Sequence, residues 1–327
     1  MKRSIIRRAA AVILSLVILS AISLSLAEQK TFTIGIAQFA VHGSLDNCRT
    51  GFIEGLKAAG FEEGKNVTFD YQNAQADMGI AADIANKFVD NRYDMIVAIA
   101  TPMAAVSLSA SDGAIPVIYT AVSAPIESGM ADENRLGLGN TTGTSDQLPV
   151  RQQLETIRAI QPDAKVIGIL YTLSETNSAA QLAAYEALAP EFGFTIESSG
   201  ISTGSDIALA LPGLLTKVDL LTMLTDNTVV QYLDTVLDKT DPAGIPVYGS
   251  EIEQVTRGCV AAQGLDYSAL GRQTGAMAAR VLNGEAADSI PFELIEESAL
   301  YFNSKALEAM GLTLPEDLAA AGTDVAQ

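Results

Sequence analysis

The chain has 327 residues, of which 48% are hydrophobic, 18% charged and 6% aromatic, and 39 acidic against 20 basic side chains give a formal net charge of −19. This composition is typical of a globular protein and excludes a disordered or collagen-like chain. The excess of negative charge makes nucleic acid and anionic membrane surfaces poor partners.

The first predicted element is a secretory signal peptide at residues 1–27. Basic residues precede an apolar run, 9–26, which ends in the small-residue sequence Ser25-Leu26-Ala27. This pattern predicts export by the general secretory route, cleavage after Ala27 and a periplasmic protein. An uncleaved anchor helix is the alternative, because the run approaches the length that spans a bilayer. No cysteine directly follows the run, so a lipid anchor is not expected.

The exported part is long enough for two domains. Removing the first 27 residues leaves 300, with 16 basic and 39 acidic side chains and a formal charge of −23. At about 100–200 residues per domain, this length predicts two units, each with its own core. No later apolar stretch is long enough to span a bilayer, so we expect the exported part to be soluble.

Short β-rich runs alternate with longer stretches of helical period from residue 31 onward. Predicted strands lie at 32–37, 67–71, 94–99, 115–119, 135–139, 165–170, 194–198, 219–224, 245–248, 258–263 and 299–302. Predicted helices lie at 44–59, 78–90, 102–110, 147–160, 178–191, 205–216, 227–240, 267–283 and 304–310. The alternation predicts an α/β fold with doubly wound parallel sheets.

Two halves of the sequence repeat one pattern of glycines and strands. Gly35 in the first predicted strand and Gly60 after the next helix are 25 residues apart, and Gly168 and Gly193 have the same spacing. Each half also has an Ile-Pro-Val tripeptide that opens a later strand. The repeat predicts two similar lobes whose strand-end loops face one ligand cleft. Similar packing constraints on unrelated βα units are the alternative explanation.

The sequence lacks the residue sets of common catalytic and metal centres. His42 is the only histidine, which excludes metal sites that need two, and no nucleophile lies near it in sequence. No glycine motif for a nucleotide phosphate is present. Cys48 and Cys259 are expected to be buried free thiols, with a disulfide between them as the alternative. We therefore expect a binding protein, not an enzyme, with no cofactor and no metal.

Polar residues follow several predicted strands, where the cleft is expected. Thr101-Pro102 opens a helix whose free backbone N–H groups suit a ligand carboxylate, although an ordinary helix cap has the same sequence. Asp226 ends an apolar strand and either faces a ligand amino group or caps the next helix. Phe39 is one of several strand-end aromatics that either stack on a ligand ring or belong to the core. This arrangement predicts a cleft for a zwitterion.

A series of motifs along residues 31–315 carries a family resemblance. It includes IGIAQF (34–39), NTTGTSD (140–146), IGILYTLSETNS (167–178) and GLDYSALGRQTGAMAARVLNGE (264–285). With these motifs the chain resembles the periplasmic solute-binding components of ABC importers. These proteins have the type I binding-protein fold, and the resemblance is to the group associated with tryptophan, tyrosine and other aromatic amino acids.

The resemblance implies a function and a set of ligand-binding residues. The implied function is capture of a small solute, with an aromatic amino acid favoured, by hinge closure of two lobes and delivery to a membrane permease with its ATPase. A component of a membrane sensor, or a binding protein for another solute, is the alternative. A monomer is expected, because the cleft must open and close. The implied ligand-binding residues are Gln38, Thr101, Ser123, Ser145, Asn177, Ser178, Asp226 and Glu251.

The resemblance also implies that the chain crosses three times between the lobes. The expected lobe one is 31–145 plus 250–285, and the expected lobe two is 146–249 plus 286–315. Residues 316–327 are expected to form a loose C-terminal tail.

Two positions depart from the family pattern. Ala124-Pro125 stands where the family has Asp-Pro, and Val41-His42-Gly43 stands where the first loop has Glu-His-Pro. The first departure removes a carboxylate, and the second changes the first loop of the cleft.

Overall fold

The first half of the chain builds a parallel sheet. The computed structural model describes residues 31–295 and 298–326, so the predicted signal peptide lies outside the described residues. The elements are β1 (Phe32–Gln38), α1 (Gly43–Ala58), β2 (Val67–Asn73), α2 (Met78–Asp90), β3 (Met95–Ile99), α3 (Thr101–Ser111), β4 (Val117–Thr120) and β5 (Thr141–Ser145). The strands are parallel in the order β2-β1-β3-β4-β5.

The second half repeats this topology. Its elements are α4 (Val150–Ile160), β6 (Val166–Thr172), α5 (Thr176–Leu188), β7 (Thr195–Ile201), α6 (Ile207–Leu215), β8 (Leu220–Thr222), α7 (Asn227–Gln231), α8 (Leu233–Ala243) and β9 (Val247–Tyr248). The parallel order β7-β6-β8-β9 corresponds to β2-β1-β3-β4 in the first sheet. The predicted repeat is therefore a repeat of topology.

The last part of the chain extends the first sheet and forms a third, three-stranded sheet. It comprises α9 (Ile252–Arg257), β10 (Ala261–Leu265), α10 (Tyr267–Leu282), β11 (Glu293–Leu294), β12 (Ser298–Phe302), α11 (Ser304–Ala309), α12 (Glu316–Ala321) and β13 (Thr323–Asp324). β11 pairs in parallel with β5, whereas β12 pairs with β10 and β13. Both lobes therefore contain a C-terminal segment.

Matched glycines let side chains pack closely on the two sheets. A Cβ atom on Gly35 in β1 would lie 2.3 Å from the Phe88 ring of α2. A Cβ atom on Gly168, the equivalent position in β6, would lie 2.4 Å from the Leu221 side chain. Any side chain at either position would collide with the core. This explains why each half has a glycine in its first strand.

A seam of glycines fixes α10 against α1 in the first lobe. Gly51 and Gly55 on α1 face α10, and Gly271 and Gly275 on α10 face α1. A Cβ atom on Gly271 would lie 2.1 Å from the carbonyl oxygen of Cys48. The two helix backbones can approach this closely only because these positions have no side chain.

Strand pairing differs from the predicted lobe bounds at two places. Residues 250–265 were expected in lobe one, but the backbone N–H of Val260 donates to the carbonyl of Val247 in β9, at 2.8 Å. Residues 286–294 were expected in lobe two, but β11 pairs with β5 of the first sheet. The three-stranded sheet of β10, β12 and β13 thus lies beside β9 of the second lobe, before the chain crosses to α10. Short strands at sheet edges leave little sequence signal for such a crossing.

Two predicted segments are wrong in their described parts. The expected loose tail contains α12 and β13, and the backbone N–H of Val325 donates to the carbonyl of Phe302 at 2.9 Å. The strand expected at 135–139 is reduced to isolated β-bridges of Leu136 and Gly137 between the left-handed residues Arg135 and Asn140, and β5 begins only at Thr141. Most other predicted elements are confirmed within a few residues.

The buried core contains both cysteines as free thiols, as expected. Cys48 lies on α1 with its sulfur 2.9 Å from the Thr120 hydroxyl, and Cys259 packs in the hydrophobic core of the second lobe. Among residues 31–295 and 298–326, the helices are all too short or too polar to span a membrane.

Candidate functional site

The loops that follow the strands of the two lobes contact each other across a cleft. The hydroxyl of Ser123, after β4, lies 2.7 Å from that of Thr225, after β8. Nearby, Asn47 on α1 donates to the Glu253 carboxylate of α9 at 2.5 Å. The lobes therefore meet along a polar surface, which is the cleft that the sequence repeat predicts.

Asp226 uses both of its carboxylate oxygens within the second lobe. One oxygen accepts from the Thr172 hydroxyl and the Val229 backbone N–H, each at 2.8 Å. The other accepts from the Thr172 backbone N–H at 2.6 Å and from the Ser178 hydroxyl at 2.7 Å. Of the two roles predicted for Asp226, the structure shows the helix cap, and it pairs Ser178 with the same carboxylate.

Glu175 is a second buried carboxylate of this lobe, and the sequence did not single it out. It accepts hydrogen bonds from the backbone and side chains of Asn227 and Thr228 and from the Asn177 amide. Burial and the neighbouring charge of Asp226 raise the pKa of Glu175 to about 7, although these hydrogen bonds oppose the shift. Its only sequence signal is its place just before the predicted helix that follows β6.

Asn177 and Gln181, both on α5, hold the loop that carries Thr225. Asn177 donates to the Thr225 carbonyl at 3.0 Å, while its own side-chain oxygen is buried and has no hydrogen-bond partner. Gln181 donates to the Thr225 hydroxyl at 2.5 Å and accepts from its backbone N–H at 3.0 Å. The Thr225 hydroxyl is therefore fixed in the position where it meets Ser123.

Thr101 begins α3 at the end of β3, where the sequence predicts the start of a helix, and it is buried. Its hydroxyl has no hydrogen-bond partner. The preceding residue, Ala100, has φ +85° and ψ +152°, a conformation that is rare for any residue except glycine. Strained backbone and an unpartnered hydroxyl therefore coincide at the first turn of α3.

Gln38 and Ser145 are buried but engaged within the first lobe. The Gln38 amide donates to the Ala40 carbonyl and to Asp46, and its oxygen accepts from Arg49 at 2.8 Å. The Ser145 hydroxyl donates to the Ser123 carbonyl at 3.4 Å. These two predicted site residues shape the loops that bound the cleft.

Two further carboxyl groups lie where the chain passes between the lobes. Asp146 directly follows β5, and one of its oxygens accepts from the Tyr267 hydroxyl at 2.6 Å, while the other is buried without a partner. Glu251, after β9, also has a buried carboxylate oxygen without a partner. Burial and the nearby Glu253 raise the pKa of Glu251 to about 8, and burial raises the pKa of Asp146.

His42 lies at the start of α1 with both ring nitrogens buried and without hydrogen-bond partners. Burial lowers the pKa of His42 to about 4, and the nearby Asn227 side chain opposes this shift only in part. The ring is therefore neutral at physiological pH and lies at the boundary of the two lobes.

Two cavities lie between the lobes. One, of about 190 Å³, is lined by residues that include Ser123, Ala124 and Phe292. The other, of about 180 Å³, is lined by residues that include Phe39 and Gln231. Within the described residues, no group of three or more His, Cys, Asp or Glu side chains is arranged to hold a metal ion.

Comparisons with known proteins agree with this architecture. The family of ABC transporter substrate binding proteins matches residues 33–326. A tyrosine-binding protein of Clostridioides difficile is 37% identical over 285 residues, which are 87% of this chain and 82% of that protein. An ABC domain from Streptococcus pneumoniae, solved in complex with L-Trp, is 32% identical and superposes with a TM-score of 0.87 over 90% of this chain and all of that chain.

A comparison with a ligand-free relative indicates how the lobes are arranged. The open, ligand-free structure of a Clostridium difficile substrate binding protein with adhesive properties is 35% identical, with 90% of this chain and 99% of that chain covered. It superposes with a TM-score of only 0.68, against 0.87 for the L-Trp complex. The interlobe hydrogen bonds and these scores together indicate a closed arrangement.

These findings confirm the two-lobed type I binding-protein fold that the motifs implied. The matched family is one of extracytoplasmic solute-binding proteins. With the match extending over nearly all of the described residues, this chain belongs to the family of ABC transporter substrate-binding proteins.

Proposed function

We propose that this chain captures an aromatic amino acid outside the cytoplasm by closing its two lobes and delivers it to an ABC permease. The observation that carries the proposal is the set of buried, unpartnered polar atoms on both sides of the cleft. They belong to His42, Thr101, Asp146, Asn177 and Glu251. A zwitterion in the cleft has the charges and hydrogen-bond groups to pair with them.

The energetics of these atoms favour closure around a ligand. A buried polar group without a partner costs about 1–3 kcal/mol, so the empty closed cleft is destabilised by several such groups. In the open form, water reaches the cleft surface and hydrates the groups that line it. A solute that pairs with these groups in the closed form stabilises that form selectively. Because the solute binds the closed form more tightly than the open form, it shifts the population toward the closed form.

The relatives and the lining of the cleft support an aromatic ligand. One similar protein is named as tyrosine-binding, and another was solved with L-Trp. Phe39 lines the 180 Å³ cavity between the lobes and supplies a ring against which a ligand ring can stack. Of the predicted ligand-binding residues, we retain Thr101, Ser123, Asn177 and Glu251 as candidates for direct contact.

The proposal extends to processing and partners. Cleavage after Ala27 would release the exported protein into the periplasm. The closed form would then dock as a monomer on a membrane permease with its ATPase. The protein would bind its solute without transforming it, as the match to the family of substrate binding proteins supports. The lobe bounds favoured by strand pairing are 31–145 with 267–294, and 146–265 with 298–326.

Thermal unfolding of residues 28–327 tests the proposal. The protein is purified through a denature-and-refold step to remove bound solute, and each amino acid and a panel of small solutes is then added. A ligand at about 100 times its Kd stabilises the fold by about 2.7 kcal/mol. We expect this stabilisation with tyrosine, tryptophan or phenylalanine, and an absence of stabilisation by all three would refute an aromatic ligand.

Two matched variants separate binding at the cleft from general stabilisation. Thr101→Val removes the buried unpartnered hydroxyl at α3, whereas Thr50→Val removes an exposed hydroxyl that bonds within α1. We expect the first variant to reduce the ligand-induced shift and the second to leave it unchanged.

A further inference from the structure

We infer that Asp146 and Glu251 together hold the ammonium group of the bound amino acid. The inference rests on the proposed function and names the groups that recognise one end of the ligand. These two residues replace Asp226, which the sequence offers as a partner of the ligand amino group.

The first argument is the orientation of the two carboxyl groups. Asp146 is 2% exposed and Glu251 is 1% exposed, and each keeps one buried oxygen without a partner. The Tyr267 hydroxyl holds the other Asp146 oxygen at 2.6 Å, which fixes the orientation of that carboxyl group. A buried, unpartnered carboxylate oxygen is costly, and an ammonium group is its strongest available partner.

The second argument is the negative charge around Glu251. Besides burial, the charges of Glu253 on α9 and Asp146 after β5 raise the pKa of Glu251, and the Ser44 and Gln254 side chains oppose this shift. Arg257, a cation near Cys259, is bound to the Asp234 carboxylate and to the Val230 carbonyl. A cationic ligand group therefore suits this part of the cleft.

The third argument is that the other buried acids of the cleft are already in use. Asp226 accepts four hydrogen bonds within its own lobe, and Glu175 accepts five. Neither has an oxygen without a partner, in contrast to Asp146 and Glu251. Asn177, whose side-chain oxygen is unpartnered, can supply an additional neutral acceptor.

A consequence of this assignment is that binding releases a proton. Without ligand, Glu251 is protonated near pH 7, because burial holds its pKa at about 8. An ammonium group at hydrogen-bond distance favours the ionised carboxylate, so the carboxyl proton passes to the buffer as the ligand binds. The ligand keeps its own positive charge throughout.

The test compares ligands with and without the amino group. Calorimetric Kd values are measured at pH 7 for L-tyrosine and for 3-(4-hydroxyphenyl)propionate, which lacks the amino group, or for the corresponding pair from tryptophan or phenylalanine if that amino acid binds better. We expect Glu251→Gln and Asp146→Asn each to weaken binding of the amino acid by on the order of 100-fold and to change binding of the deaminated analogue by less than about threefold. Glu54→Gln, at an exposed acid whose carboxylate lies 3.4 Å from the Arg272 guanidinium within the first lobe, is the control, and no change in either Kd is expected.

Titrations in two buffers of different ionisation enthalpy provide an independent readout. The wild-type protein is expected to release about one proton per ligand at pH 7, and Glu251→Gln almost none. Equal weakening of both ligands by the acid variants, or binding without proton release, would overturn this inference and leave the proposed function intact. If the wild-type protein binds no aromatic amino acid, the proposed function fails, and this inference fails with it.

Discussion

Ser123 and Thr225 join the two lobes through hydroxyl oxygens that lie 2.7 Å apart and are both buried. Gln181 fixes Thr225 within the second lobe. Its amide donates to the Thr225 hydroxyl, and its side-chain oxygen accepts from the Thr225 backbone N–H. The contact can form only when the lobes are closed. It therefore contributes to the free-energy difference between the open and closed forms.

Ser123→Ala is expected to shift this balance toward the open form. The closed form loses one buried hydrogen bond, worth about 1 kcal/mol, while the Thr225 hydroxyl stays paired with Gln181. The Kd of the ligand should rise about fivefold, as measured by calorimetry. Ser128→Ala is the control, because the Ser128–Thr176 contact at 3.3 Å is exposed and should matter less. A larger effect for Ser128→Ala would contradict the assignment.

Asp226→Asn is expected to lower the stability of the second lobe rather than to abolish binding. An amide in place of the carboxylate can accept at only one of its two polar atoms, so at least two of the four donors around Asp226 lose their acceptor. We expect the free energy of unfolding of the ligand-free protein to fall by about 2–4 kcal/mol, measured by urea denaturation.

The control for this prediction is Asp219→Asn, whose carboxylate accepts from the exposed backbone N–H groups of Lys165 and Val166. Its loss of stability should be smaller, because water can replace the acceptor. If Asp226→Asn left stability unchanged but weakened ligand binding more than about 30-fold, Asp226 would be a ligand group after all.

The sequence predicted those features that depend on local patterns. Alternating apolar runs and repeated glycines were sufficient for the doubly wound lobes, since Gly35 and Gly168 occupy equivalent places under packed side chains. The prediction of a strand at 135–139 was wrong, because the apolar residues there alternate with left-handed positions such as Gly139. Local composition does not reveal which of two neighbouring apolar runs pairs with the sheet.

The site was less predictable, because its chemistry depends on contacts between distant residues. The donors that saturate Asp226 include Thr172 and Ser178, which lie 54 and 48 residues away in sequence. Asp146 is the last residue of the motif NTTGTSD (140–146), where the sequence predicts a crossing between the lobes. Only the three-dimensional structure shows that one of its oxygens is held by Tyr267, 121 residues away, and that the other is left without a partner.

Ala100→Gly is expected to stabilise the protein. The φ of +85° and ψ of +152° at this position place Ala100 in a region that glycine occupies without steric cost. Relief of this strain should raise the free energy of unfolding by about 1 kcal/mol, after the extra chain entropy of glycine in the unfolded state is subtracted. Urea denaturation measures the change.

The control for Ala100→Gly is Ala98→Gly, within the neighbouring strand β3, where φ is not positive. This variant should destabilise the protein, because it removes a buried methyl group and adds unfolded-state freedom with no strain to relieve. Destabilisation by both variants would show that the backbone conformation at Ala100 costs little.

The stability of the ligand-free protein is expected to fall as the pH rises from 6.5 to 8.5. Burial holds the pKa of Glu251 at about 8, against an ordinary value of 4.5, so the folded protein keeps a proton that the unfolded chain has already released. The free energy of unfolding then decreases by up to about 1.4 kcal/mol per pH unit for each such proton. Glu175, whose pKa is about 7, adds to the decrease at the lower end of this range.

Within this window the other titrating groups contribute less, although the buried Cys48 thiol, whose pKa is raised to about 12, adds to the decrease above pH 8. His42 has its pKa lowered to about 4 from 6.5, so its opposite contribution, a gain in stability as the pH rises, is almost complete by pH 6.5. Urea denaturation at four pH values measures the slope, and Glu251→Gln should make it clearly shallower. Saturating ligand should do the same, because a bound ammonium group keeps Glu251 ionised in the folded protein. A slope that neither the variant nor the ligand changes would place the titrating group elsewhere.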